Sequence, residues 1–285
     1  MDIKDLKCKS CGAPLQPMGG VQVITCDYCG STVALSGAGW KAVQTHSMLV
    51  PQVIDQNQAI AVCQHSIDHG LFHRSDFEKA TIIEVKCSVV PYWIVPASAV
   101  THYVYQDAAV QAAQIGGSVA AGALLGAALS GGGRRGFAVV PVMGAGGGGA
   151  KRAAELAGQY QFPVIAVKGL ETYQPRDYQF DLTARLPFDK RKLPPGLTIL
   201  NGDVSEDDAK FVAKNMVVQL QATRAHAQHR MVESINTEVN VSDGELLHAP
   251  VWYLNFKLKN GKNEMLTVDA HRNAVMNLNL QKPAK

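Results

Sequence analysis

Four cysteines arrive as two tight pairs, Cys8-Lys-Ser-Cys11 and Cys26-Asp-Tyr-Cys29, each followed by a glycine and separated by fourteen residues. Two thiolates on one turn can grip a single cation, and two such turns complete a tetrahedral sulfur set of the kind Zn²⁺ takes. The glycine behind each pair lets backbone amides come close to the sulfurs. Gly19-Gly20 reads as a turn, and Val21-Gln-Val-Ile24 as the strand leading into the second pair. This is the pattern of a zinc ribbon over residues 1–35, with Cys8, Cys11, Cys26 and Cys29 holding one Zn²⁺. Four thiolates leave no open coordination position, so the ion is expected to be structural rather than catalytic. Disulfides are the competing assignment. The CxxC spacing, and a start at Met1-Asp2-Ile3-Lys4-Asp5 with no secretion-signal pattern, favour a reducing, cytoplasmic setting. Cys63 and Cys87 are left over and read as small core residues.

Weaker constellations point to other chemistry. His65 and His69 are four apart on a helical stretch, with Cys63 beside them and His73 further on, so they share a face that could take a second metal. Helix histidines without a carboxylate partner are more often solvated. Gly144-Ala-Gly-Gly-Gly-Gly149 fits GxGxxG, follows Val139–Met143, precedes a candidate helix Ala150–Ala157, and has Glu171 where a ribose-binding acid would belong. Any glycine run matches that pattern, Pro141 interrupts the strand, and Lys151 misses the P-loop position. Nucleotide binding through Gly144–Gly149 is therefore the third-ranked function. His226 and His229 near Arg224 and Arg230 make a basic helix end that suits the C-terminal dipole. There is no Gly-x-Ser-x-Gly elbow and no Walker Gly-Lys-Ser/Thr, so the expectation is a protein that is not an enzyme.

These groups must be carried by a body of ordinary globular composition: 285 residues, 47% hydrophobic, 18% charged, net charge +3. So small an excess of positive charge does not favour a strong nucleic-acid binder. The ribbon's three lysines (Lys4, Lys7, Lys9) are matched by Asp2, Asp5 and Asp27, and four thiolates on Zn²⁺ add a formal −2. Asp55 with Gln58 forms a capping box opening a helix that Gly70 ends, with Ile60, Cys63 and Ile67 on one face. Ile82–Val85, Cys87–Val95 and Thr101–Tyr105 are strand material. Ser205 with Asp208 opens a second, longer helix through Val212, Met216 and Leu220. Thr237–Val241 and Leu246–Leu258 follow as strands, with Asn260-Gly261 turning into Leu266–Val268. Both halves thus read helix, strand, then a Pro-x-Trp (Pro91/Trp93, Pro250/Trp252) opening a hairpin. The fold class is α+β: a zinc ribbon at 1–35, a first α+β unit at 36–106, a Gly/Ala-rich insertion at 107–158 and a second, repeated α+β unit at 159–285. Loss of the metal is expected to unfold the ribbon alone.

The paired CxxC motifs, Val-Val-Pro91-Tyr-Trp93, Gly169-Leu-Glu-Thr-Tyr-Gln-Pro175, Leu200-Asn-Gly-Asp-Val-Ser205 and His248-Ala-Pro-Val-Trp-Tyr253 together resemble a group of bacterial and archaeal proteins. These are labelled TFIIB-type zinc-ribbon-containing or primosomal protein N′-like, and the resemblance covers most of the chain outside 107–158. It implies no helicase activity, since the helicase boxes are absent. It implies an adaptor role, because some relatives accompany phage-shock and SPFH-type membrane-stress components. Only the four cysteines transfer as functional residues.

No charge lies between Asp107 and Arg134, and glycines 117, 122, 126 and 131 punctuate alanines and leucines there. Three readings stand side by side: a surface loop, a self-associating helix with small residues at its contact, and a segment that inserts at the inner face of the membrane. The function expected is a zinc-binding adaptor or scaffold acting through protein partners, with self-association or membrane contact through 107–150. A nucleic-acid-binding accessory factor of the TFIIB-ribbon type is the alternative.

Overall fold

Strand-forming β-branched and aromatic residues dominate the body, and the fold follows them: a mixed α+β protein that is mostly sheet. The structure, a computed structural model, describes residues 6–16, 20–36, 39–43, 46–68, 80–107, 139–140, 151–175, 178–229, 231–258 and 261–276. In chain order the elements are β1 (Val23–Thr25), β2 (Thr32–Ser36), β3 (Gly39–Ala42), β4 (His46–Met48), α1 (Gln56–Asp68) and β5 (Thr81–Gln106). There follow β6 (Val139–Val140), β7 (Lys151–Ile165), β8 (Leu186–Pro187), β9 (Thr198–Ile199) and α2 (Glu206–Gln228). The chain closes with β10 (Val232–Val241), β11 (Glu245–Lys257), β12 (Asn263–Asp269) and β13 (Ala274–Val275).

Two compact units interleave along the chain. The first gathers Met1–Val95, Phe162–Phe211 and Asp243–Lys285, and the second gathers Pro96–Gln161 and Val212–Ser242. The stretches 36–106 and 159–285 each contribute to both, because β5, β7 and α2 run from one unit into the other.

In the first unit, β1, β2 and β3 form a small antiparallel sheet. The larger sheet there is built on β11, which pairs antiparallel with β5 (Glu245↔Ile94 to Lys257↔Thr81) and with β12 (Val251↔Asp269 to Lys257↔Asn263). The β11–β12 hairpin closes on Gly261, whose φ of 84° is the left-handed value the Asn-Gly pattern demands. Parallel strands β4 and β9 add to β11 and β5. Two apolar clusters pack around this larger sheet. Ala59 and Cys63 of α1 pack with Trp252, Leu254, Phe256, Leu266 and Val268. Tyr92, Ile94, Ile165, Phe180, Leu247 and Val251 form the other cluster. In the second unit β10 pairs with β5 from Val232↔Tyr105 to Val241↔Ala97, β7 neighbours β5, and β6 pairs antiparallel with β7. Tyr103, Ala154, Leu156 and Ala225 form its core.

Several expectations change. Ile82–Val85, Cys87–Val95 and Thr101–Tyr105 are one 26-residue strand, so Pro91-x-Trp93 lies mid-strand. Pro250-x-Trp252 likewise lies within β11, at the point where the β11–β12 hairpin pairing begins (Val251↔Asp269, Trp252↔Val268). Residues 151–158, expected in the insertion with a helix over Ala150–Ala157, are strand: alternate side chains Ala154 and Leu156 are buried, a period of two that a helix cannot serve. On α2 the fully buried positions are Ala209, Ala213, Val217, Gln221 and Ala225, one residue off the bulky Val212, Met216, Leu220 stripe; alanines let the helix backbone approach its neighbours closely. The rest of the Gly/Ala stretch, with Gly144–Gly149, lies outside the described residues, as do His69, Gly70 and His73.

The two Pro-x-Trp segments make matching bonds. The Pro91 carbonyl accepts from the Ala166 amide at 2.9 Å, and the Pro250 carbonyl from Ala270 at 3.0 Å. The Ala166 carbonyl accepts from Asp203 and Val204, and the Ala270 carbonyl from Gln52 and Val53. The Trp93 indole donates to the Val204 carbonyl at 3.0 Å, and Trp252 to Val53 at 2.9 Å. Each tryptophan thus holds the chain just ahead of a helix N-cap. Ser205 Oγ accepts from Asp208 N at 3.1 Å, and Asp55 Oδ1 from Asn57 and Gln58. Gln58 reaches back to the Ile54 amide, completing the capping box expected there one residue early.

Candidate metal centre

The two CxxC turns have the same internal bonding. Cys8 N donates to Ala13 O and Gly12 N to Cys8 O; Cys26 N donates to Ser31 O and Gly30 N to Cys26 O, all between 2.8 and 2.9 Å. Gly12 (φ 75°) and Gly30 (φ 76°) take the left-handed conformation that folds each turn back on its cysteines. At Gly30 a side chain would also meet the Phe188 ring at 3.2 Å. The sulfurs converge as a result: all four lie within 4.8 Å of one another, with Cys8–Cys29 at 3.6 Å and Cys11–Cys26 at 3.7 Å. A tetrahedron with Zn–S of about 2.3 Å has edges of about 3.8 Å, so the donor set fits a zinc-sized ion.

The surroundings favour thiolates. Ser31 Oγ lies 2.9 Å from Cys8 Sγ and 3.0 Å from Cys29 Sγ. Burial pushes the Cys8 thiol up, but the Ser31 hydroxyl and the Cys11 and Ser10 amides outweigh it and bring it to about 6. The Ser31 hydroxyl also lowers Cys29. At Cys11 the Ala13 amide favours the anion, yet the three crowded sulfurs hold the thiol at about 12. Without a cation these charges repel; with one they are neutralised together. Four cysteines at metal-binding distance, consistent with a zinc ribbon, are therefore present, as their spacing implied. The chain matches no protein-family profile, no curated protein and no solved structure.

What the sequence did not disclose is how this centre is seated. Val23 and Gly202 form an antiparallel bridge, with Val23 N donating to Gly202 O and Gly202 N to Val23 O at 2.8 Å. Asn201 Oδ1 accepts from the Thr25 amide at 3.1 Å. Beneath the second turn, four side chains close a ring: Thr25 Oγ1–Thr32 Oγ1 3.0 Å, Thr32 Oγ1–His46 Nε2 3.3 Å, His46 Nε2–His248 Nδ1 2.8 Å and His248 Nε2–Thr25 Oγ1 3.3 Å. Strand β8 alongside β4 brings the Phe188 ring over His46 (centroids 4.3 Å, stacked). Burial lowers both imidazoles, His46 to about 4 and the fully buried His248 further below its usual range, with His46 adding to the effect. One ring proton between the facing nitrogens satisfies the 2.8 Å contact, so both rings are neutral. The ribbon is thus part of the first unit and not a separately seated module. His248 stands in a motif noted in the sequence, but its partner His46 is two hundred residues away and carries no local signal.

The other candidates are not brought into sites. Cys63 is fully buried and Cys87 partly so against the α1 cluster, and burial pushes both thiols up to about 12, as suits inert core residues. His65 is exposed, and the four cysteines form the metal-capable group found among the described residues. His229 stacks on Tyr105 with centroids 3.5 Å apart instead of facing solvent beside His226. After Gly144–Gly149 comes β7, antiparallel to β6, where a βαβ dinucleotide site would need a helix and a parallel return. Among the described residues no helix is long and apolar enough to cross a membrane.

A cleft of about 630 Å³ borders the second CxxC turn. Tyr28, Cys29 and Gly30 line one side, and Phe188 with the turn Asp189-Lys190-Arg191-Lys192 lines the other. Lys190 Nζ reaches the Asp27 carbonyl at 3.4 Å, and Arg191 forks onto Asp189 with two 2.9 Å bonds.

Proposed function

We propose that this chain is a non-enzymatic, zinc-stabilised adaptor that works through protein–protein contacts in a reducing, cytoplasmic setting. The observation that carries the reading is the seating of the four-thiolate centre. It offers its ion no open position, and it fixes one face of the body through Gly202, Asn201 and the Thr/His ring. A closed metal held this way keeps a surface in shape, which is what a scaffold needs and a hydrolytic centre does not.

The body supports the same reading if it is a repeated unit of strand, helix and hairpin. Each leading strand and helix (β4–α1, β9–α2) is seated on the hairpin of the other repeat by its tryptophan. Residues 107–150 are the second contact region, for self-association or the inner membrane face.

The test is cross-linking in cells followed by affinity purification of soluble and membrane fractions, comparing the wild type with Cys26→Ser. The expected result is one zinc per wild-type chain and a reproducible, stoichiometric partner that the metal-free variant loses. Recovery of the same partner by the metal-free variant would refute a surface maintained by zinc.

A further inference from the structure

We propose that the cleft between the second CxxC turn and Lys190–Lys192 receives an acidic peptide segment of the partner protein, an apolar side chain lying against Tyr28 and Phe188 and carboxylates meeting the lysines. The proposal rests on the adaptor reading and names the chemistry of what it holds.

Three observations carry it. Tyr28 is 77% exposed although it sits on the best-braced turn of the ribbon; the backbone beneath it is fixed by Cys26, Gly30 and Ser31. A rigid aromatic presented at the mouth of a cleft costs little ordering entropy when it is covered. Next, three consecutive cations line the opposite wall, and this turn is itself held in place by Asp189 capping and by the Lys190–Asp27 carbonyl bond. Third, Arg191 is already paired with Asp189 in a two-pronged contact, so an incoming carboxylate meets the Lys190 and Lys192 ammoniums and leaves that fork in place.

Charge also decides between a peptide and a nucleic acid. The Asp27 side chain is 96% exposed at the rim, and the zinc–thiolate centre adds a formal −2. A phosphate backbone carries charge at every step and would run into both. A peptide places its few carboxylates where the lysines are and an uncharged side chain where the sulfurs are. The cleft, at about 630 Å³, suits a few side chains rather than an extended strand of nucleotides.

The probe is a fluorescein-labelled peptide, acetyl-Glu-Glu-Phe-Glu-Glu-amide, titrated by anisotropy into the zinc-loaded full chain, with its Gln-for-Glu counterpart and an oligothymidylate as comparators. Saturable binding should weaken about tenfold in Lys190→Gln/Lys192→Gln and in Tyr28→Ala, and by a smaller factor in Lys192→Gln alone, which leaves the Asp27 contact in place. Zinc content should stay at the wild-type value throughout, and the unfolding midpoint should stay there in Tyr28→Ala and Lys192→Gln, whose side chains are exposed. Absence of saturation, equal affinity for the Gln peptide, or unchanged affinity in the variants overturns the proposal. So does oligothymidylate binding more tightly and losing more affinity in the same variants, which would make the cleft a nucleic-acid site. A peptide that fails while the cellular partner is still captured by the wild type refutes the cleft and leaves the adaptor reading standing. Loss of the partner in Lys190→Gln/Lys192→Gln with zinc retained supports both.

Discussion

Acidification should destabilise the first unit through the buried imidazole pair, ahead of the carboxylates. In the folded protein His46 is held to about 4 by burial, against about 6.5 for an unfolded histidine. The folded value is the lower one, so the unfolded chain takes up the proton first as pH falls. The stability the pair contributes is therefore complete above pH 6.5 and is lost between there and about 4. At pH 5 the unfolded ring lies about 1.5 pH units past its midpoint, and at about 1.4 kcal/mol per unit His46 alone costs about 2 kcal/mol. This is an upper figure for His46, part of whose ring reaches the surface; His248, fully buried, adds in the same direction. The cost arises from burial, which disfavours a charged imidazole at both positions. The assay is urea unfolding at pH 7.5, 6.5, 5.5 and 5.0 with zinc content read at each pH, for wild type and His46→Gln. The variant should start less stable and show a flatter decline between pH 6.5 and 5.0. An equal decline in both proteins would refute the assignment and place the acid sensitivity in the thiolates.

Gly202→Ala should lower stability by about 1–3 kcal/mol, since its added carbon would stand 2.8 Å from the Ala166 carbonyl and 3.0 Å from Val23; amide exchange at Val23 and Gly202 would report the opened bridge. Trp93→Phe and Trp252→Phe should each cost about 1–3 kcal/mol by leaving the Val204 or Val53 carbonyl unpaired, and near-equal losses in thermal unfolding would agree with a repeated clamp, whereas one silent variant would not. Removal of 108–138 should leave zinc content and the unfolding midpoint near wild type, while removal of 151–158 should unfold the second unit, because Ala154 and Leu156 pack there with Tyr103 and Ala225. Equal outcomes for the two deletions would restore the boundary at 158.

Local chemistry was legible in the residues because its causes are local. A CxxC turn with a trailing glycine brings its own sulfurs together, Asp55 and Ser205 cap their own helices, and Gly261 turns its own hairpin. The pattern misled where one strand outran the usual length. The sequence reading divided β5 into Ile82–Val85, Cys87–Val95 and Thr101–Tyr105, yet the strand runs unbroken to Gln106, with the Pro91 carbonyl accepting from Ala166. The seating of the ribbon was not legible. Its contacts join Thr25 to His248 and Val23 to Gly202, positions whose meeting depends on β4, β8 and β11 lying side by side, and no window of sequence contains that information.

The same distance explains why the metal and the body should answer to one another. A ribbon tied to its neighbour by a flexible linker would lose its ion without consequence elsewhere, as the first thirty-five residues alone suggested. Here Thr25 and Thr32 flank the second CxxC turn and bond to histidines on β4 and β11; Leu49, just after β4, and Leu247 on β11 enter the core. On the other side, Val23 grips Gly202, three residues before the Ser205 cap of α2, in the segment whose Val204 carbonyl takes the Trp93 indole. Removing a bound ion would free the sulfurs to repel, and that strain would be carried along both routes into the parts of the first unit that the tryptophans hold.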